Sequence, residues 1–122
     1  MRLFVDTSAW AALYDTSDKY HLYASQGLNN LLGRAVSFVT TDYIFDETVT
    51  LLMKRNGKQQ AGRFGKWALT AENIELTYID NDVWQAAWEM FQSYEDKQWA
   101  FTDCTSFVLM RQQNLHRAFA FD

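Results

Sequence analysis

Four carboxylates stand where an acid is out of keeping with its neighbours. Asp6 ends the apolar run Leu3-Phe4-Val5, and Asp122 ends the run Ala118-Phe-Ala-Phe121. Glu47 shares a helical stripe with Ile44, Thr48 and Leu51, and Asp103 shares one with Ser106, Phe107 and Met110. An acid on a core-facing stripe needs a partner, because an unpaired charge is costly away from water. No cation stands beside any of the four in sequence, so a shared metal ion is the simplest partner. Carboxylates with no His or Cys in the set select a hard, oxygen-liking ion, Mg2+ or Mn2+, over zinc. Such an ion keeps several waters, can activate one to attack phosphorus, and can offset charge on a leaving oxygen, so no protein nucleophile is required. Each acid also has a plainer reading. Asp103 in a first helical turn contributes only ~0.3–1 kcal/mol to its helix. Asp6 could cap the helix after it, and Glu47 could reach water from the edge of its stripe.

Positioning these acids is the task of alternating strands and helices. Residues 3–5 read as a strand buried on both faces, followed by Thr7 and Ser8 as caps and a helix over 9–14. A second helix is predicted over 17–32, with Tyr20, Tyr23, Ala24, Leu28, Leu31 and Leu32 inward and Gly33 as its terminator. A strand at 35–40 leads through the cap residues Thr41 and Asp42 into a helix over 43–55, where Asp46 falls on the polar side. Alternation at 74–79 fits a half-exposed, edge-type strand. Asp80-Asn81-Asp82 then caps a helix with Val83, Ala86, Ala87, Met90, Phe91 and Tyr94 inward, and the i, i+4 pair Trp84 and Trp88 is expected in the core unless it marks a partner surface. Thr102 is the expected cap of the Asp103 helix, and 118–121 the last strand. An acid at the carboxyl end of a strand is where open α/β sheets bind ligands. There is no glycine-rich phosphate or dinucleotide fingerprint.

The chain has 122 residues, the size of a single domain over 1–122. At 48% hydrophobic it is too apolar for disorder, and no run approaches the ~20 apolar residues of a membrane span. Asp6 breaks the N-terminal apolar run too early for a signal peptide, which points to the cytoplasm. Cys104, the one cysteine, excludes an internal disulfide and any multi-cysteine cluster, and reads as a packing residue. His21, with no second ligand type near it, reads the same way. The formal net charge of −4 argues against nucleic acid only superficially, since four carboxylates in one pocket would account for all of it. The concentrated positive charge lies in Lys54, Arg55, Lys58, Arg63 and Lys66, the best candidates to meet phosphates.

Taken together, Val5-Asp6-Thr-Ser-Ala-Trp10, Tyr43-Ile-Phe-Asp-Glu47, Phe101-Thr-Asp103-Cys-Thr-Ser106 and Phe119-Ala-Phe-Asp122 resemble a PIN domain of the kind found in VapC ribonuclease toxins. The resemblance covers the whole chain. It implies a three-layer α/β/α fold around a central, mainly parallel sheet. Asp6, Glu47, Asp103 and Asp122 would be a metal-binding, catalytic quartet, with Thr7, Ser8 and Ser106 at the pocket edge. It further implies an RNA substrate, cleavage to a 5′-phosphate and a 3′-hydroxyl, a cognate antitoxin protein and a homodimer. Family members continue past the fourth acid with another strand, so the sheet expected from this sequence lacks its last C-terminal strand. Two other classes compete. A phosphoacceptor receiver domain needs an acidic pair after the first strand and a Lys at a later strand end, and neither is present. A non-enzymatic, PIN-like interaction module would bind a protein partner without cleaving RNA.

Overall fold

In the computed structural model, which describes residues 1–32 and 34–121, the N-terminal apolar run forms β1 (Arg2–Val5) in the interior of a four-stranded sheet. β2 (Ser37–Thr41) lies on one side of it and β4 (Ala118–Phe119) on the other, with β3 (Ile74–Thr77) outside β2, and every pairing is parallel. Leu3, Phe4 and Val5 are all buried, as a strand covered on both faces requires. The alternating β3 is the half-exposed edge.

Helices α1 (Thr7–Tyr14) and α2 (His21–Leu32) join β1 to β2, α3 (Asp42–Asn56) and α4 (Lys58–Thr70) join β2 to β3, and α5 (Asn81–Ser93) and α6 (Phe101–Gln112) join β3 to β4. The chain moves one way across the sheet from β1 to β3, then crosses back over two strands to β4. Right-handed crossovers therefore put α1 to α4 on one face and α5 and α6 on the other. The packing agrees: α1 lies against α2 and α3, α3 against α4, and α5 against α6. The result is the expected α/β/α sandwich. Its reversal of direction falls between β1 and β4, which opens a crevice at their carboxyl ends.

Aromatic packing fixes α1 and α4 over the sheet. The Trp10 ring lies 5.7 Å from Phe64 and 5.6 Å from Trp67, and its Nε1–H donates to Thr40 Oγ1 at 3.3 Å. Such ring pairs add ~0.5–1.5 kcal/mol beyond buried area.

Several elements depart from the sequence reading. Thr7 and Ser8 are the first two residues of α1, and the cap position belongs to Asp6. α2 begins only at His21, because the Asp15 and Asp18 carboxylates accept the amides of Ser17 and Tyr20 and hold 15–20 as turns. Tyr23 faces solvent. β2 starts two residues late, and β3 ends at Thr77. The cap of α6 is Ala100, two residues before Thr102, and its amide donates to Asp103 Oδ2 at 2.9 Å. The buried stripe of α6 is Cys104, Thr105, Ser106 and Leu109, while Phe107 is exposed. Trp84, Trp88, Phe91 and Tyr94, all expected inward or in the core, are exposed. Gly33 lies outside the described residues, as does the side chain of Leu32, expected inward.

Candidate active site

The crevice at the carboxyl ends of the strands is an open cleft of about 850 Å³. Three of the four predicted acids line it, each from a different element: Asp6 after β1, Glu47 from α3 and Asp103 from α6. Asp6 is placed by its backbone. Its amide donates to the Phe119 carbonyl at 3.0 Å, and its carbonyl accepts the amides of Ala9 and Trp10. Its side chain does not cap α1, and the residue lines the cleft. Glu47 is exposed, not core-facing: the buried stripe of α3 is Ile44, Thr48 and Leu52, and Glu47 sits at its margin over the cleft. Asp46 is solvated, as expected.

Ser8 lines the cleft, and its Oγ accepts the Phe121 amide at 2.8 Å, which fastens the chain beyond β4 to the start of α1. Asp122 lies outside the described residues, and Phe121 before it lines the cleft. Thr7 Oγ1 and Ser106 Oγ are buried without a hydrogen-bond partner among the described residues. A buried hydroxyl left unmatched costs about 1–3 kcal/mol unless water or a ligand meets it. No three His, Cys, Asp or Glu side chains among the described residues form a ready-made ligand cage. The acids surround a space. Thr7 lines the cleft, whereas Ser106, expected at the pocket edge, is buried in α6 and is not among the lining residues. Carboxylates spaced around room for water, with the unmatched Thr7 hydroxyl in the same wall, fit an ion that retains much of its hydration, as Mg2+ does.

The absence of nearby cations expected from the sequence does not hold in three dimensions. Arg55 and Lys19 line the same cleft as the acids. Arg55 Nη1 donates to Asp18 Oδ2 at 2.9 Å and lies 3.5 Å from Asp15 Oδ2. Asp15 is buried, and its Oδ1 also accepts the Ser17 hydroxyl at 2.6 Å and the Asn56 amide at 3.4 Å. The Ser17 hydroxyl above all, with the Ser17 amide, Asn56 and Arg55, holds the Asp15 carboxyl below the ordinary carboxylate range against the opposing pull of burial. This network joins residues about 40 apart in sequence, so only the turn-forming Asp15-Thr-Ser-Asp18 pattern could have hinted at it. Of the other predicted phosphate contacts, Lys54 lines an adjoining cavity with Tyr43, Glu47 and Thr102, and Lys58 opens α4 in an exposed position outside the residues lining either space. Cys104 is buried, and burial first and the Asp103 charge second push its thiol up, consistent with packing. His21 Nδ1 lies 2.7 Å from the Ala12 carbonyl, a structural contact between α1 and α2.

The Asp15 network gives a stability prediction. Asp15→Asn is expected to destabilise the fold at neutral pH by about 1.5–3 kcal/mol, the scale of a lost charge-assisted hydrogen bond. Because the folded carboxyl sits below its unfolded value, its contribution is present above ~pH 4 and fades as pH falls through the folded value. Urea melts across pH 2–7 check this: wild type and variant should converge in acid, and a gap that stays constant there contradicts the assignment.

A PIN domain family model matches residues 3–122. Curated relatives include the 23S rRNA-specific endonuclease VapC20 of Mycobacterium tuberculosis, in strains CDC 1551 / Oshkosh and ATCC 25618 / H37Rv. Each is 31% identical over 125 aligned positions, which cover 98% of this chain and 88% of the relative. The crystal structure of Mycobacterium tuberculosis VapC20, a Sarcin-Ricin loop cleaving toxin, aligns with a TM-score of 0.91 at 30% identity, over 98% of this chain and 89% of that one.

Proposed function

The chain belongs to the PIN-domain family, and from that footing we propose that it is a divalent-metal-dependent endoribonuclease, the toxin of a toxin–antitoxin pair. One observation carries the reading: Asp6, Glu47 and Asp103, brought from three separate elements, line a single cleft at the topological reversal of the sheet. These three and Asp122 would hold Mg2+ or Mn2+, with the unmatched Thr7 hydroxyl in the same cleft wall available to its waters. When bound, such an ion supplies a water of lowered pKa and offsets charge on the leaving oxygen. The reaction is hydrolysis: water oxygen adds to phosphorus, the bond from phosphorus to the 3′ oxygen breaks, and that oxygen takes a proton. The products are a 5′-phosphate and a 3′-hydroxyl.

The chain's own residues bind and orient the substrate. Lys54, beside the cleft, and Lys58, just beyond α3, would meet RNA phosphates. Arg55 would do so from within the cleft wall, held there by Asp15 and Asp18. Similarity to a 23S rRNA-specific endonuclease makes ribosomal RNA the first substrate to test. Work on such RNA belongs in the cytoplasm, and no helix among the described residues is long and apolar enough to cross a membrane. A cognate antitoxin protein and a second copy of this chain complete the set of partners.

The test is incubation of end-labelled ribosomal RNA with the protein and Mg2+ or Mn2+, with the new ends assigned chemically. Internal cuts bearing 5′-phosphates are expected, and intact RNA across both metals contradicts the reading. Lys54→Ala with Lys58→Ala should weaken RNA binding and lower the salt slope by about 0.7 for each phosphate no longer neutralised, leaving single-turnover cleavage at saturating RNA unchanged. A fall in the saturated rate would instead put these lysines in the chemistry. Arg55 is a poorer probe, because its removal also strips a partner from buried Asp15.

A further inference from the structure

One wall of the cleft is aromatic. Tyr20 and Phe121 both line it and are stacked, with ring centroids 4.9 Å apart and an interplanar angle of 8°. A pair that served only as core would be covered on all sides, whereas each of these rings is half-buried and borders the open space that holds Asp6, Glu47 and Asp103. Both are held by their backbones. The Tyr20 amide donates to Asp18 Oδ1 at 2.8 Å and its carbonyl accepts the Ala24 amide at 2.9 Å, while Arg55 holds the other oxygen of Asp18. The Phe121 amide is fastened to Ser8 in the first turn of α1, directly after Asp6. Phe119 meets the Phe121 ring edge-on at 5.4 Å and lies against Gly27 of α2. The stack is thus set before any substrate arrives, and a ring so fixed loses little freedom on binding.

Charge on this wall suits a nucleic acid. Asp15 and Asp18 are both paired with Arg55, and the exposed Lys19 carries its ammonium over the Tyr20 ring, 5.0 Å from the centroid. A base arriving on the ring displaces that ammonium, and its flexible stem lets it turn to the neighbouring phosphate. A base inside a duplex has no face to offer, since both are taken by its stacked neighbours. An unpaired nucleotide can be splayed out onto an aromatic side chain.

We propose that the Tyr20 ring, backed by Phe121, is a platform on which one unpaired base of the RNA substrate stacks beside the bond to be cut. The platform rests on the ribonuclease reading and adds to it the form of RNA that the cleft accepts. That form is a loop or a single strand, with little discrimination among bases at this position because every base has a π face. Asp18 is then a positioning residue, acting on the base through the amide of Tyr20.

The test is equilibrium binding of a short single-stranded RNA, with Ca2+ in place of Mg2+ so that the readout does not depend on cleavage. An adenine analogue whose fluorescence is quenched by stacking is moved along the strand, and each position is also made abasic in turn. Wild type is expected to quench one position, and removing the base there should weaken binding about 5-fold or more. The same sequence paired into a duplex should bind more weakly by at least as much. Tyr20→Leu should lose the quench and bind the abasic and intact strands alike, and Tyr20→Phe should keep both effects of wild type. Should Tyr20→Leu fail to fold, a photoreactive base at the quenched position should crosslink wild type at Tyr20, and a crosslink confined to other walls of the cleft overturns the proposal. RNA that is bound and cut with no response to an abasic nucleotide at any position overturns the platform and leaves the ribonuclease reading standing, as does a duplex bound as tightly as the single strand. A protein that binds and cuts neither form overturns both.

Discussion

Asp103→Asn is expected to lower RNA cleavage about 100-fold or more while leaving the fold in place. The two effects separate because the helix contact of Asp103 and its proposed role as a metal ligand have different requirements. Its Oδ2 accepts the Ala100 amide at the start of α6, and an asparagine carbonyl can accept the same bond. Only the negative charge is lost, worth ~0.3–1 kcal/mol to the helix. In the proposed mechanism hydrolysis needs that charge, because an ion held by fewer carboxylates would shift, and an attacking water displaced by about 1 Å would lose its alignment with the scissile bond. Glu47→Gln should behave alike with less structural effect, since Glu47 is exposed. Single-turnover rates beside thermal melts check both. A variant that melts like wild type and still cleaves at the wild-type rate would remove Asp103 from the chemistry.

Chelation should be as severe. Dialysis against EDTA is expected to abolish cleavage, with Mg2+ or Mn2+ restoring it and Ca2+, equally hard but larger and less demanding of geometry, restoring it poorly. A second readout does not depend on activity. An ion that binds only the folded chain stabilises it by ~2.7 kcal/mol at about one hundred times its dissociation constant, so melting should move upward with metal. In a chain carrying both Asp103→Asn and Glu47→Gln the shift should vanish. EDTA-resistant cleavage, or a metal-dependent shift that survives in the double variant, would break the assignment of these acids to the ion.

The strands and the acids are readable in the sequence because both are local signals. Leu3-Phe4-Val5 before Asp6 is a buried strand ending in an acid whatever follows, and the order of elements then dictates a parallel sheet. Glu47 stands out in the sequence for a reason that the fold corrects: helical spacing locates its angle on α3 but cannot say that this side borders a cleft and not the core. The Trp84 and Trp88 pair misleads similarly, since a stripe shows that an apolar face exists and not which body covers it. Arg55 with Asp15 and Asp18 is invisible in the sequence because hydrogen bonds across some 40 residues leave no periodic trace. Helix starts slip wherever side chains compete for backbone amides, as at Asp15, Asp18 and Asp103.

The bond from the Phe121 amide to Ser8 Oγ spans 113 residues, and β4 pairs directly with β1. The cleft is therefore framed by segments far apart in the chain, one before α1 and one after α6. During translation β1 and Asp6 emerge early and must wait for residues 118–121 before their neighbours arrive. A ribosome carrying the unfinished chain holds most of the acids but not the wall that assembles them into a site. For a protein that cuts RNA, the topology imposes a delay: the cleft that gathers the acids is not framed until residues 118–121 have been made and have reached β1.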